Sequence, residues 1–489
     1  MARLDEIKKE RLKKIEELRN KGINPYPYSF DRNAYSIDLE KYKNLKENEL
    51  GKDNLRVAGR VISKRELGSI AFCHILDDKG KLQIVFEKNY SKDFLDFFVK
   101  YVDIGDFIGI EGVPYRTKRG EISIMAKYLE ILSKAIIPLP EKWHGLKDVE
   151  ERYRKRYLDL ISNPQIKKVF IIRTEIINLI RKFLNAHGYI EVDTPIIQEF
   201  HGGAAARPFT TFFHELKQNF FLRISPELYL KRLIIGNFEK VYEIAKNFRN
   251  EGIDSTHYPE FTMIEFYEAY RDYNYMAELT KKMIKYIMKK LKIKKVKWRG
   301  KEIDLTKWKK LTMQKAFKKY ANLDIDKLSD EELRKICENY NIEISENLTR
   351  GMLIDALFKE LIQPNLINPT FIFDYPIDIS PLTKKHRTKE NYVERWELFI
   401  GGTEIANSYS ELNDPIDQAE RFKKQEEARK KGIKEDEIWP VDYDFVEAME
   451  YGMPPCGGVG IGIDRLVMIF TEKDSIKEVI LFPHLRKKY

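Results

Sequence analysis

Apolar positions follow three rhythms along this chain. In "MARLDEIKKERLKKIEELRN", Leu4, Ile7, Leu12, Ile15 and Leu18 recur at helical spacing among charges, which predicts an amphipathic helix packed on a domain. "GINPYPYSF" then supplies the glycine and prolines that stop a helix. Over residues 54–132 the period drops to two. The runs "LRVAGRVIS", "IAFCHILDD", "KLQIVFEKN", "DFIGIEGVPYRT" and "EISIMAKYLEIL" alternate, with turn signals "DDKG" and "TKRG" and one helical insert at 92–100. Short strands packed this closely predict a small five-stranded barrel of the OB type, with an SH3-like barrel as competitor. Residues 136–165 begin with prolines, turn charged and helical, and read as a linker. Beyond it a helix over 166–187 closes at Gly188, and long helical periods alternate with strand-like runs to the end. This divides the chain into 1–50, a barrel at 51–135, the linker, and a large domain at 166–489 with a mostly helical, Lys-rich insertion at about 274–364.

Composition narrows the class. With 489 residues, 43% apolar and 12% aromatic, the chain supports more than one core and is too apolar to be disordered. No apolar run approaches the roughly 20 residues that span a bilayer, so no membrane role is expected. The charged N-terminus lacks the apolar core of a secretory leader. Cys73, Cys337 and Cys456 lie far apart without a CxxC pair, which speaks against a zinc ribbon or disulfide framework and for a reducing cytoplasm. A net charge of +10 permits a polyanionic partner without requiring one.

Three stretches carry candidate chemistry. In "VYEIAKNFRNEG" and "HYPEFTMIEFYEAY" two alternating runs flank a polar loop, which predicts a long hairpin. Period two puts Arg249 and Glu251 on one face of the first run, and Phe261, Glu265 and Tyr267 on one face of the second. A cation, an aromatic plate and carboxylates then share a sheet surface whose other face is apolar. In "CGGVGIGIDRLVMIF" glycines precede Arg465, matching neither a Walker loop nor a Rossmann fingerprint. Those glycines serve either close ligand approach or tight packing of a helix on a sheet. In "GGTEIANSYSELNDP", Asn407, Tyr409 and Glu411 share a parity that lines a pocket, although any half-solvated strand alternates in this way. Glu397 and Glu404 flank a turn at Gly401-Gly402, but their parities differ and spacing alone does not set the register.

Taken together, "FRNE" with Arg249, "GIGIDR" with Arg465 and "HGYIEVDTPII" with Pro195 resemble motifs two, three and one of the class II aminoacyl-tRNA synthetases, in that family's order. "GGAAARPF", "RISPELYLKRL", "FRNEGIDSTHYPEFTMIEFY" and "GGTEIANSYSELNDP" are similar to its lysine-specific branch, and the resemblance runs from the first helix to "VILFPHLRKKY". It implies an α+β multidomain protein: an N-terminal five-stranded OB-fold β-barrel for the anticodon, then a class II catalytic domain with an antiparallel sheet flanked by helices. It also implies ATP-dependent attachment of L-lysine to tRNA(Lys) through lysyl-adenylate, with Mg2+, by a cytoplasmic homodimer paired through the motif-one helix and strand, Ile166 to Ile197, which contains Pro195 and whose helix is too apolar for a free surface.

The resemblance assigns lysine to Glu227, Arg249, Glu265, Tyr267, Asn407, Tyr409 and Glu411, with Gly203 beside the amino-acid backbone. Glu227 would take the α-ammonium, and Glu411 and Tyr267 would lie near the ε-ammonium. Arg249 would hold the α-phosphate and the lysine carboxylate, and Arg465 and His257 the outer phosphates. Phe261 would stack on adenine opposite Arg465, with Glu251 near the exocyclic amine, and Glu397 and Glu404 would hold Mg2+. In the barrel, Phe72, Gln83 and Glu121 match the anticodon readers. An acidic pocket end suits a long cationic side chain, whereas an aspartate-specific relative needs cations there. An aspartyl or asparaginyl relative and a non-catalytic RNA-binding dimer remain the rival readings. Intact Arg249, Arg465, Glu397 and Glu404 speak against the second.

Overall fold

The computed structural model describes residues 2–140, 148–345, 347–430 and 440–486, and the chain divides into two compact units at residues 147 and 148. Of the stretch read as a linker, 141–147 lie outside the described residues, and the helices Val149–Arg154 and Arg156–Ser162 belong to the second unit.

The first unit opens with the helix Ala2–Asn20, closed by Gly22 at φ +74°. Its contact face is narrower than the sequence stripe. Ile15 and Leu18 are buried, but Leu4 and Leu12 are exposed. Arg11 takes the place of an apolar residue, donating to the carbonyls of Ala135 and Ile104. Five strands follow: β1 (Leu55–Leu67), β2 (Ile70–Leu76), β3 (Lys81–Glu87), β4 (Phe107–Arg116) and β5 (Ile122–Ser133). They pair in the order β1-β2-β3-β5-β4, and β4 pairs back onto β1. Alternation sends Val57, Ala71, Cys73, Ile75, Ile84 and Phe86 into the core. Phe72, His74 and Gln83 therefore face outward.

The second unit contains β6 (Ile190–Glu191), β7 (Ile197–Gln198), β8 (Phe209–Phe213), β9 (Gln218–Leu222), β10 (Lys240–Phe248) and β11 (Glu260–Ala269). It continues with β12 (Lys295–Trp298), β13 (Lys301–Asp304), β14 (Lys309–Thr312), β15 (Thr370–Pro376), β16 (Tyr392–Ile400), β17 (Thr403–Ser410) and β18 (Cys456–Gly462). Eight of these form one sheet in the order β14-β15-β16-β17-β18-β11-β10-β6. The sheet is mixed rather than antiparallel throughout: β6 joins β10, and β14 joins β15, in parallel. The described residues of 274–364 hold four α-helices, the first beginning at Tyr273, as their period suggests, but also the β12–β13 hairpin and the edge strand β14. Those strands are four residues each and lysine-rich, too short to show a period.

One face of the sheet is a floor for helices. Tyr242, Ile264, Phe266, Trp396, Leu398, Val459 and Ile461 pack there against the helices Gln165–Ala186, Tyr273–Leu291 and Ile463–Phe470. The other face is apolar at both ends, where Ile372, Tyr375, Val393 and Phe399 join one cluster and Val241 and Tyr267 join another with Leu230 and Ile234, and it is polar between them.

Candidate active site

Cross-strand register places the candidate residues in rows. Glu243 lies opposite Glu265, Glu265 opposite Gly460, Gly460 opposite Asn407, and Asn407 opposite Glu397. The next row runs Val241, Tyr267, Gly458, Tyr409 and Arg395. On β18, glycine alternates with Val459 and Ile461, so side chains fill the helix-packed face while Gly458 and Gly460 leave a trough on the polar face. A Cβ on Gly458 would stand 2.2 Å from Tyr267 Cε1 and 2.3 Å from Glu411 Oε1. Of the two roles the sequence left open, tight packing is met at Gly457, where a Cβ would lie 2.6 Å from Met276 Cγ.

Three carboxylates gather at one end of the trough: Glu227, Glu265 and Glu411 are 5%, 3% and 1% exposed. Ser225 Oγ and Tyr267 Oη donate to Glu265 at 2.7 and 2.9 Å. Glu227 opens the helix Glu227–Ile235, where a carboxylate suits the free backbone N–H groups. Gly203, at φ +83°, abuts it, since a Cβ there would lie 2.9 Å from Glu227 Cβ. Lys231, one turn along the helix, reaches Glu227 Oε1 at 2.6 Å and Glu411 Oε2 at 2.5 Å, and is itself 1% exposed. Neither Glu411 oxygen accepts an aligned hydrogen bond among the described residues. Burial pushes the Glu265 and Glu411 carboxyls up to about 8; the Glu227 charge adds to both, and Lys231 pulls Glu411 the other way. Neighbouring Glu243 takes no part, being paired to Arg223 at 2.5 Å.

The other end is cationic. Arg249 lies just past β10, its pKa lowered by burial, with its guanidinium 5.1 Å from the Phe261 ring centroid. Arg465, in the helix after Gly462, donates to the Glu404 carbonyl at 3.0 Å and lies 2.9 Å from His257 Nε2. His257 is oriented by Asp254, whose Oδ2 is 2.6 Å from Nδ1. Glu251 and His257 are exposed in the β10–β11 loop. Asp464 braces this end, accepting from Thr262 N at 2.6 Å and from Arg173 at 2.5 Å.

The parity problem of Glu397 and Glu404 is resolved by a β-bulge. Leu398 pairs with Ala406 but Phe399 pairs with Glu404, so Ile405 is an extra residue that turns Glu404 to the face of Asn407. Gly401 and Gly402, both at positive φ, make the two-residue turn. Glu397 accepts from Arg395 at 2.5 Å and Tyr375 Oη at 2.8 Å. Burial raises its pKa to about 7, with Arg395 opposing and Glu404 and Asp355 adding. Asn407 joins this network, accepting from Arg395 Nε at 3.1 Å and donating to Tyr409 Oη at 2.9 Å.

On the outer face of the barrel, Phe72 is half-buried against Val85, Val113 and Met125. Gln83 donates to Glu121 at 2.7 Å and accepts from Ser123 Oγ at 2.8 Å, and His74 lies 3.2 Å from Glu121.

Comparison with known proteins gives the family. Residues 148–486 match the family described as tRNA synthetases class II (D, K and N), and residues 55–132 match the OB-fold nucleic acid binding domain. The lysine–tRNA ligase of Thermotoga maritima is 48% identical over 490 residues, covering 99% of this chain and 97% of its own. Lysine–tRNA ligase 2 of Methanosarcina mazei is 49% identical over 98% of this chain and 94% of its own. That of Methanoculleus marisnigri is 48% identical over 97% and 94%. The chain belongs to the class II tRNA synthetases, in the lysine–tRNA ligase family.

Within this family frame, sequence reasoning passed over three side chains that the structure puts in contact with the candidates: Lys231, Arg395 and His74. His74 was within reach, two residues past Phe72 on the same strand face. Lys231 follows Glu227 by four residues, which reads as an ordinary surface pair of a helix. Arg395 carries the parity of Glu397, yet "VERWELF" offers no sign that both point into a site.

Proposed function

We propose that the protein attaches L-lysine to tRNA(Lys) in two steps, through lysyl-adenylate. The observation that carries this reading is the buried acid set Glu227, Glu265 and Glu411, beside Tyr267, at one end of a trough whose other end holds Arg249 and Arg465. The names of the relatives agree with it.

In the first step a lysine carboxylate oxygen attacks the ATP α-phosphorus, and the bond to pyrophosphate breaks. Both reactants are anions, so the protein contributes positioning and charge neutralisation rather than a nucleophile. Arg249 holds the α-phosphate and the lysine carboxylate, and Arg465 and His257 hold the outer phosphates. Phe261 offers a face to adenine, with Glu251 near its exocyclic amine. Asn407 and Tyr409 line the aliphatic stem of the lysine, Gly203 leaves room for its backbone, and Glu227 and Glu411 receive the two ammonium groups. In the second step the 3′-hydroxyl of the terminal tRNA ribose attacks the lysyl carbonyl and AMP leaves.

Glu397 and Glu404, turned to one face by the bulge, fit a hard cation that takes two carboxylates and completes its shell with phosphate oxygens. Bound there, Mg2+ would neutralise phosphate charge. The outer barrel face with Phe72, Gln83 and Glu121 reads the anticodon by stacking and base-edge hydrogen bonds.

The protein is a cytoplasmic homodimer paired through the segment around Pro195. The helix Gln165–Ala186 is a poorer argument for pairing than its sequence suggests, because Val169, Ile176, Leu179 and Ile180 are consumed by the chain's own core. The support comes instead from exposed Ile190, Ile196, Ile197, Phe200, Phe212 and Phe213, on or beside the short strands that follow. Three buried, unpaired cysteines suit a reducing compartment, and no helix among the described residues is long and apolar enough to cross a membrane. Lysine charging of tRNA(Lys) by the purified protein tests the activity, and a monomeric mass in sedimentation at micromolar concentration would contradict the pairing.

A further inference from the structure

Lys231 has no place in the reaction as described, yet it occupies the centre of the amino-acid pocket. It is 1% exposed, and its one ammonium contacts Glu227 at 2.6 Å and Glu411 at 2.5 Å. These are the two carboxylates expected to receive the α- and ε-ammonium groups of the substrate. A buried cation is tolerated only when paired, and so are three buried carboxylates.

The charges around the pocket can be followed group by group. Glu243 is neutralised by Arg223, Glu397 by Arg395, and Asp442 and Asp444 by Arg232. Lys384 is exposed and bound to Asn413. What remains among the described residues is Glu227, Glu265 and Glu411 against a single fixed cation, Lys231. Ionised, the set therefore lacks two positive charges, which is what the two ammonium groups of lysine supply once Arg249 has taken its carboxylate. An amino acid with only an α-ammonium leaves one buried carboxylate uncompensated. Geometry agrees with the charge. Lys231 lies 2.5 Å from Oε2 of Glu411, while Oε1 lies over Gly458 on the trough floor, and neither oxygen accepts an aligned hydrogen bond among the described residues.

We infer that Lys231 is a specificity-determining positioning residue, a resident cation that holds Glu227 and Glu411 in place as ammonium acceptors and leaves the ionised set short of two positive charges, so that it selects a diammonium amino acid. The inference rests on the reading of this site as a lysine pocket. Lysine-dependent ATP–pyrophosphate exchange by the parent protein tests that reading separately, before any variant is made.

The test compares Lys231→Met, which keeps the bulk, with Lys231→Arg, which keeps the charge. Exchange is measured with L-lysine and with L-6-hydroxynorleucine, a neutral amino acid of the same length, alongside KM for ATP and thermal unfolding. In Lys231→Met the KM for lysine should rise at least about tenfold, and its advantage over the hydroxyl analogue should fall at least about tenfold. KM for ATP should stay within about twofold. Lys231→Arg should keep most of the advantage, whatever it loses in affinity. A side chain that merely fills space predicts the reverse order, with Met better than Arg. The inference is overturned if folded Lys231→Met keeps both the lysine KM and the discrimination of the parent. It is overturned equally if Met folds and Arg does not. A folded Arg variant beside an unfolded Met variant supports it.

Discussion

Glu411 Oε1 sits over a residue without a side chain: a Cβ added to Gly458 would be 2.3 Å from it. That gap is too short for any pair of unbonded atoms, so the carboxylate occupies its place because β18 carries glycine there. Gly458→Ala should displace Glu411 and Tyr267 together while leaving the helix-packed face of the strand intact. Overpacking of this kind costs about 1–3 kcal/mol, and here it should fall on lysine use, lowering kcat/KM for lysine roughly ten- to a hundredfold. KM for ATP should hardly move. Equal losses for lysine and ATP would show that the glycine serves the sheet rather than the pocket.

Protonation of the pocket gives a second expectation. Burial raises Glu265 and Glu411 to about 8, so near pH 6.5 both are mostly neutral in the free protein. An arriving ammonium favours their ionised form, so binding releases protons and lysine affinity must improve as pH rises towards 8. For one such group the KM for lysine should fall about tenfold over that interval. Glu411→Gln should flatten the dependence. It should also cost lysine use at least about a hundredfold, because the ε-ammonium loses a buried partner. A lysine KM that is flat with pH in the parent protein would contradict the assignment of these carboxylates.

Much of this site was legible in the chain, and the limits have physical causes. Alternation placed Glu265 and Tyr267 on one face of β11, and Asn407 and Tyr409 on one face of β17, because both strands are regular there. Alternation failed at Glu404, where one inserted residue, Ile405, reverses parity, and no side chain announces a bulge. It failed again at β14, a strand of four residues paired in parallel to β15. Lys231 was hidden for another reason. A Glu and a Lys four apart on a helix look the same whether water or a second carboxylate completes the pair.

The bulge makes the metal assignment testable. If Glu397 and Glu404 face one cation, Glu404→Gln should raise the Mg2+ concentration for half-maximal exchange by about tenfold or more, within the range seen when metal sites lose a supporting group. An unchanged Mg2+ requirement would leave Glu404 as no more than the partner of Arg465.

For the barrel, Phe72→Ala should weaken recognition of tRNA by roughly 1–3 kcal/mol if the ring stacks on a base. Exchange measured without tRNA should be unaffected. Phe72 lies half-buried on the outer face, so its removal should destabilise the protein by less than the about 3–5 kcal/mol of a core phenylalanine. Normal charging of tRNA by a folded variant would exclude it from anticodon reading.

The central claim is that an acidic trough selects a cationic amino acid, and ATP–pyrophosphate exchange with L-lysine, L-aspartate and L-asparagine tests it most directly. Glu265 and Glu411, 3% and 1% exposed, would meet an aspartate side chain with like charge in a water-poor site. Lysine should therefore support exchange, and aspartate and asparagine should give rates at least about a thousandfold lower, since a site built around buried charged partners rejects a ligand lacking them by several kcal/mol. Exchange driven by aspartate or asparagine at a rate comparable to lysine would contradict the account.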